Sequence, residues 1–251
     1  MPHTWRLIDS GFVGPAESAA IDEALLDAHI SGQVPPTLHF YRRRVPTVSL
    51  GYFQKAEAAV DLGACARLGV SVVRRRSGGS SIFTDPAQLI YALVVPENEL
   101  PLGRAASFAF VCSALASALG AFGMDAMHRP VNDVEVDGRK VSGSAQFRRK
   151  GSVLQHGTVL VDADLAMMDL VLKADPSDTP PLPRPSERVT TMASVLGAVP
   201  DMESVKASIT VEFAKAFDAN FYFGRLTDDE ERSVQALVSG FYGREGWNLR
   251  R

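Results

Sequence analysis

Three short stretches carry the side chains best suited to chemistry. The first is Val73-Arg74-Arg75-Arg76-Ser77-Gly78-Gly79-Ser80-Ser81-Ile82-Phe83-Thr84-Asp85. Gly78 and Gly79 let the main chain take positive φ and let a ligand approach the backbone closely. Free N–H groups beside fixed guanidinium charge suit a carboxylate or a phosphate. The plainer alternative is a tight hairpin with a solvated arginine tip. The second stretch is Asn132-Asp133-Val134, followed by Gly138-Arg139-Lys140-Val141-Ser142-Gly143-Ser144-Ala145-Gln146. A lysine after a hairpin turn is ordinarily a solvated edge residue. Lys140, however, precedes a run too small to cover it, so it can lie along a pocket wall and offer a point charge to an anion. Asp133 either caps a turn or, beside a phosphate-binding lysine, helps to hold Mg²⁺. The third stretch is Gln155-His156-Gly157-Thr158. His156 is either a satisfied core or edge residue or part of a site, and the absence of a second histidine at ligand spacing argues against zinc. The chain has no Gly-x-Ser-x-Gly elbow, no phosphate-binding Gly-x-x-x-x-Gly-Lys-Ser/Thr loop and no Gly-x-Gly-x-x-Gly turn.

These stretches need elements to hold them. The apolar, β-branched runs at 70–73 and 89–95 predict buried strands on either side of the arginine stretch. Further strands are predicted at 5–9, 37–41, 47–52 and 153–161. Residues 134–141 predict a hairpin with Asp137-Gly138 at a type I′ turn. Helices are predicted from Pro15 to Gly32, where Ala20, Ile21, Ala24, Leu25 and Ala28 recur at helical spacing, and over 60–68, 107–122, 165–172, 203–219 and 228–242. Arg42-Arg43-Arg44-Val45-Pro46 reads as a basic turn. Residues 175–185 hold five prolines in eleven positions and read as an extended surface segment. Strands and helices mix without strict alternation, which predicts an α/β (α+β) fold with a mixed or antiparallel sheet flanked by helices.

Composition narrows the function. With 46% hydrophobic and 22% charged residues in 251, the chain can bury the core of one large domain. A net charge of −3 argues against a nucleic-acid surface. No apolar run reaches the roughly 18 residues of a membrane span. The N-terminus lacks an apolar signal core, so a soluble cytoplasmic protein is expected. Cys65 and Cys112 both lie in alanine-rich, helix-like stretches and read as buried structural thiols.

Taken in order, Arg-Arg-x-Ser-Gly-Gly (74–79), Asn132-Asp133, Gly-x-Lys-x-Ser-Gly-Ser-Ala-Gln (138–146) and His-Gly-Thr (156–158) resemble the lipoate–protein ligase A family, within the biotin and lipoate protein ligase superfamily. The resemblance runs from Trp5 to Glu245-Gly246-Trp247-Asn248. It implies the biotinyl/lipoyl ligase catalytic-domain fold over 1–251, and an enzyme that activates lipoate with ATP and Mg²⁺ to lipoyl-AMP. The lipoyl group then passes to a lysine of an apo lipoyl-domain acceptor protein. It implies that Lys140 is catalytic and contacts the carbonyl and phosphate oxygens of the intermediate. Arg75, Ser77, Gly78, Gly79 and Ser80 would wrap the acyl-adenylate. Asn132, Asp133, Ser144, Ala145, Gln146, His156, Gly157 and Thr158 would complete the site, with Asp133 as the metal candidate. Ile82 and Phe83, with Val72 and Leu89, are near enough in sequence to line an apolar slot for the acyl tail. The resemblance further implies that the small accessory domain of two-domain members is absent, and that a separate small accessory subunit serves the activation step.

Departures from the family pattern leave alternatives open. Ser80 stands where a third glycine is usual, Thr84 where a histidine is common, and Gln88-Leu89-Ile90-Tyr91 in place of Asn-Leu-Asn-Tyr. The opening Thr4-Trp5-Arg6-Leu7-Ile8-Asp9-Ser10-Gly11 resembles the cysteine-dependent octanoyltransferase branch, which transfers the acyl group between carrier proteins. That chemistry needs a thiol nucleophile before the lysine motif, and no cysteine lies between Met127 and Gln146. A non-catalytic acyl-carrier-binding module is the third reading. Retention of Lys140 and the arginine stretch argues against it.

Overall fold

In the computed structural model, which describes residues 3–173 and 183–250, eleven strands form one large and one small sheet. They are β1 (His3–Val13), β2 (Thr37–Arg43), β3 (Thr47–Leu50), β4 (Ser71–Arg74), β5 (Ile82–Thr84), β6 (Leu89–Pro96), β7 (Ala126–Arg129), β8 (Asp133–Val136), β9 (Arg139–Arg149), β10 (Ser152–Val159) and β11 (Ala219–Phe223). The large sheet runs β11-β1-β2-β6-β10-β9-β8-β7, and the small one β4-β3-β5. Strand β1 pairs in parallel with β11 and β2, and the rest of the large sheet is antiparallel. The mixed sheet expected from the sequence is present.

Alternation along β6 explains its central place. Leu89, Tyr91, Leu93 and Val95 pack on one face, and Ile90, Ala92 and Val94 on the other. A strand buried on both faces needs a helical layer on each. On the first face lie α4 (Arg104–Gly120) and α8 (Met202–Phe217), which bring Val111, Leu115, Ile209 and Phe213 to the core. On the second lie α1 (Pro15–Ile30), with Ile21, Ala24 and Leu25, and α9 (Asp228–Leu237), with Val234. Between α1 and α4 in the chain come α2 (Ala56–Ala59) and α3 (Leu62–Leu68), which pack under the small sheet with α5 (Leu165–Val171). Asp61 caps α3 by accepting from the Ala64 amide, and Gly69 ends it at φ 68°. Short helices α6 (Pro185–Arg188), α7 (Met192–Leu196) and α10 (Glu245–Asn248) complete the set. The helix expected over 228–242 becomes π-helical from Val238 to Tyr242.

Two expectations change. Strands β4 and β6 belong to different sheets, and β5, which was not expected, pairs with β3 between them. The arginine stretch is therefore no solvated hairpin tip: Arg74 is 0% and Arg75 7% exposed. Arg74 donates to the carbonyls of Gly51, Gln54 and Asn248, so its charge is spent on main-chain acceptors inside the fold. Trp247 in turn donates to the Arg74 carbonyl at 3.0 Å, and α10 fastens the end of β4. Of the proline-rich stretch, residues 175–182 lie outside the described residues, and Pro185 opens α6.

Candidate active site

The three stretches meet at one cleft of about 690 Å³ between the small sheet and strands β9 and β10. Its arginine–glycine wall is built from inside by Arg75. That guanidinium donates to Ser77 Oγ (3.0 Å), Ser49 O (2.7 Å), Gly78 O (2.9 Å) and Ser80 O (2.8 Å). Burial, with the Arg43 charge adding to it, pushes the Arg75 guanidinium down to about 10. Gly79 adopts φ 92°, which only glycine takes without strain, and its carbonyl lies so close to Gly51 that a side chain at 51 would overlap it.

Opposite stands Lys140. The β8–β9 hairpin turns at Asp137 (φ 50°) and Gly138 (φ 72°), as the type I′ expectation requires. A register shift between Val134 and Glu135 then re-aims the start of β9. Lys140 Nζ lies 2.7 Å from Asp133 Oδ1, each side chain about 30% exposed. The lysine end lies over Gly143, where any Cβ would overlap Cε and Nζ. Asn132 accepts the Ser144 amide on its carbonyl (3.0 Å) and donates its side-chain amide to Ser144 O, which locks the two stretches together. Behind them Ser144 Oγ pairs with Tyr91 Oη at 2.7 Å, and Gln146 donates to Gln155 at 2.7 Å. Gly157 has no room for a side chain: a Cβ there would lie 2.8 Å from Gly143 O and from Tyr91 Cε1.

His156 joins the other two stretches. Its Nδ1 lies 2.6 Å from Asp22 Oδ2 and its Nε2 2.6 Å from Ser77 Oγ. Of the residues singled out from the sequence, Arg75, Gly78, Gly79, Ser80, Ile82, Asn132, Lys140, Ser144, Ala145, Gln146, His156, Gly157 and Thr158 line the cleft. Asp133 reaches it through Lys140, and Ser77 sits behind the wall with no exposed surface. Phe83 departs from expectation. It faces the core under the small sheet, as does Val72, while Leu89 faces the α4 side. Neighbours on a strand point to opposite faces, so Ile82 and Phe83 cannot both line one slot. Ile90, Phe108 and Phe147 supply the apolar wall instead.

Sequence reading missed Asp22, Tyr41 and Arg43, all on the cleft wall. The sequence places Arg43 in a basic turn, yet it is 4% exposed and donates to Thr84 and Ser18. The available signal for Asp22 was an acid set among the apolar positions of α1. Both thiols are buried as expected. Cys112 Sγ lies 3.8 Å from Ser144 Oγ in the core behind the cleft, and burial pushes it up to about 11. Cys65 packs beneath the small sheet, and burial raises it too. Among the described residues no three His, Cys, Asp or Glu side chains group to hold a metal ion. Asp133 offers a single carboxylate already engaged by Lys140. The donor set does not make a resident Mg²⁺ site. No helix among the described residues is long and apolar enough to cross a membrane.

The large mixed sheet flanked by helices is the fold of the lipoate–protein ligase catalytic domain. The bi-partite lipoate protein ligase of Thermoplasma acidophilum, solved with its E2 lipoyl domain, superposes with a TM-score of 0.87 at 28% identity, over 98% of this chain and 96% of that one. Lipoate-protein ligase A bound with ATP superposes with a TM-score of 0.84 at 28% identity, over 99% of each chain. The chain belongs to the lipoyl protein ligase A/B catalytic-domain family, whose profile matches residues 14–214. Among curated relatives, octanoyltransferase LipM of Symbiobacterium thermophilum is 35% identical over the full length of both chains. LipM of Geobacillus kaustophilus is 34% identical over 98% of each. The chain is thus an enzyme-family member of the lipoate ligase and acyltransferase class.

Proposed function

We propose that this chain transfers a medium-chain acyl group, octanoyl or lipoyl, to a lysine of an apo lipoyl domain, with no thioester formed on the chain itself. One observation carries the reading: the cleft wall presents the Lys140 ammonium, held by Asp133 and given room by Gly143, and both cysteines lie in the core. A thioester route needs a thiolate at the acyl carbonyl. Attack of the acceptor amine on that carbonyl instead builds negative charge on oxygen directly. A fixed ammonium beside that oxygen stabilises the transition state more than the ground state.

Two donors fit this chemistry. The first is an acyl-adenylate made from ATP and lipoate or octanoate. The ATP-bound ligase of the same fold supports it, as does Asn132-Asp133 in place of a thiol. Mg²⁺ would then arrive on the nucleotide, and a small accessory subunit would serve activation; a relative of the same fold that is itself bi-partite supports a second subunit. The second donor is an acyl carrier protein, and the octanoyltransferase names of the curated relatives favour it. The deciding experiment follows the intact mass of an apo lipoyl domain with three donors in parallel: ATP, Mg²⁺ and free acid; synthetic octanoyl-AMP; and an octanoylated carrier protein. Transfer from octanoyl-AMP but not from the carrier supports the ligase. The reverse supports carrier-to-carrier transfer, and no transfer from any donor removes the proposal.

A further inference from the structure

Helix α1 carries two adjacent buried acids, Asp22 and Glu23, 4% and 5% exposed. Each grips one side of the arginine–glycine loop. Glu23 accepts from Arg76 Nε at 3.0 Å and from Tyr242 Oη at 2.6 Å. Asp22 reaches the loop through a chain of bonds whose proton directions can be worked out. Its Oδ2 faces His156 Nδ1 at 2.6 Å, so that nitrogen carries a hydrogen. The bare Nε2 then accepts the Ser77 hydroxyl at 2.6 Å. Ser77 Oγ in turn accepts Arg75 Nε–H at 3.0 Å, and Arg75 Nη2 donates to Gly78 O and Ser80 O. Each donor along this chain has an acceptor, and the donations run one way from loop to helix, Arg75 to Ser77 to His156 to Asp22. In the other tautomer, the Nδ1 lone pair would face the carboxylate and the Ser77 hydroxyl hydrogen would lose its acceptor.

We infer that Asp22 is a positioning residue that sets the tautomer of His156 and thereby, through Ser77 and Arg75, the shape of the loop forming one wall of the cleft. Ser, His and Asp stand here in the order of a nucleophilic triad, but roles follow geometry. Ser77 has no exposed surface and lies behind the wall, so it is a tether. Its carbonyl also accepts the Tyr52 amide at 2.9 Å, which ties the relay to the Tyr52-Phe53 side of the cleft. Asp22 Oδ1 is buried with no hydrogen-bond partner among the described residues. A buried carboxylate left half satisfied is costly and calls for an explanation. Holding the imidazole in one tautomer is a job for a full negative charge that an amide of the same shape does less well.

The consequence for ligand binding rests on the acyl-transfer reading, but the relay itself does not. The test therefore has two independent parts, on wild type, Asp22→Asn, Ser77→Ala and the double variant. In the ligand-free proteins, ¹⁵N shifts of His156 report the tautomer, and amide hydrogen exchange at 78–81 reports the loop. The wild type should show hydrogen on Nδ1 and a bare Nε2. Asp22→Asn should mix the tautomers, and both single variants should speed loop exchange by about tenfold, with no further gain in the double variant because the two residues act in series. With octanoyl-AMP as donor, KM should rise by about tenfold and kcat stay within about twofold, since the loop supplies binding rather than reacting groups. A wild-type imidazole protonated on Nε2 alone, or effects of Asp22→Asn and Ser77→Ala that add, would overturn the inference. If Asp22→Asn does not fold, the wild-type tautomer and the Ser77→Ala exchange still decide it. An intact relay in a protein that uses no acyl donor would sink the acyl-transfer reading alone.

Discussion

Lys140 and Gly143 fit each other: the lysine end lies where a side chain at 143 would stand, and a Cβ there would overlap both Cε and Nζ. The glycine is needed for the space beside it, since its own φ is unexceptional. Gly143→Ala should push the ammonium off the cleft wall while leaving the β9 pairing intact. Acyl transfer should fall by about 10²-fold, the scale of losing one charge-stabilising donor. An unchanged circular dichroism spectrum with steady-state transfer near wild type would show that the lysine's place is unimportant.

Lys140→Ala removes the charge itself and should cost about 10²–10³-fold in kcat. Lys140→Arg should recover little, because a planar fork cannot occupy the slot over Gly143 that a narrow ammonium fills. Single-turnover transfer from octanoyl-AMP separates this loss from any effect on adenylate formation.

Neither thiol should matter. Burial holds Cys112 up at about 11, so the thiol stays protonated at pH 8. The Cys65→Ala/Cys112→Ala double variant should keep wild-type transfer, and iodoacetamide at pH 8 should label the folded protein at neither site. Rapid labelling seen by peptide mass mapping would place a thiol at the surface, contrary to the packing.

Stability and activity should separate at the ion pair that joins β1 to α9. Arg6 Nη2 and Glu230 Oε1 form an ion pair at 2.6 Å, both side chains at most 4% exposed, and Arg6 also donates to Thr37. Removing one partner strands a buried charge at a cost of about 3–5 kcal/mol. Glu230→Ala should lower the urea midpoint accordingly, while the folded fraction retains its transfer rate. An unaltered midpoint would mean that the pair is better hydrated than its burial indicates.

Much of the fold was legible because local chemistry and tertiary demand agree. The alternation in β6, the Asp137-Gly138 turn, the Asp61 cap and the Gly69 stop each specify what the structure uses. Three features were not legible. Strands β1 and β11 pair although they lie at opposite ends of the chain, and nothing local encodes that parallel partnership. The burial of Arg43, Arg74 and Arg75 depends on carbonyls and hydroxyls from distant segments, so composition alone makes them look solvated. Asp22 and His156 are 134 residues apart and meet only because α1 packs across β10. Phe83 and Ile82 are adjacent in sequence, but the strand period of two sends Phe83 to the opposite face, away from the cleft.

Acyl transfer assisted by Lys140, as proposed, passes through no acylated form of this chain. The most direct measurement is rapid-quench intact mass of both proteins during one turnover with an apo lipoyl domain, using octanoyl-AMP and octanoyl carrier protein as donors. The octanoyl mass should move to the acceptor with no covalent adduct on this chain at any time point, and Lys140→Ala should slow this step. An octanoyl adduct on Cys65 or Cys112 that forms and decays at the transfer rate would contradict it.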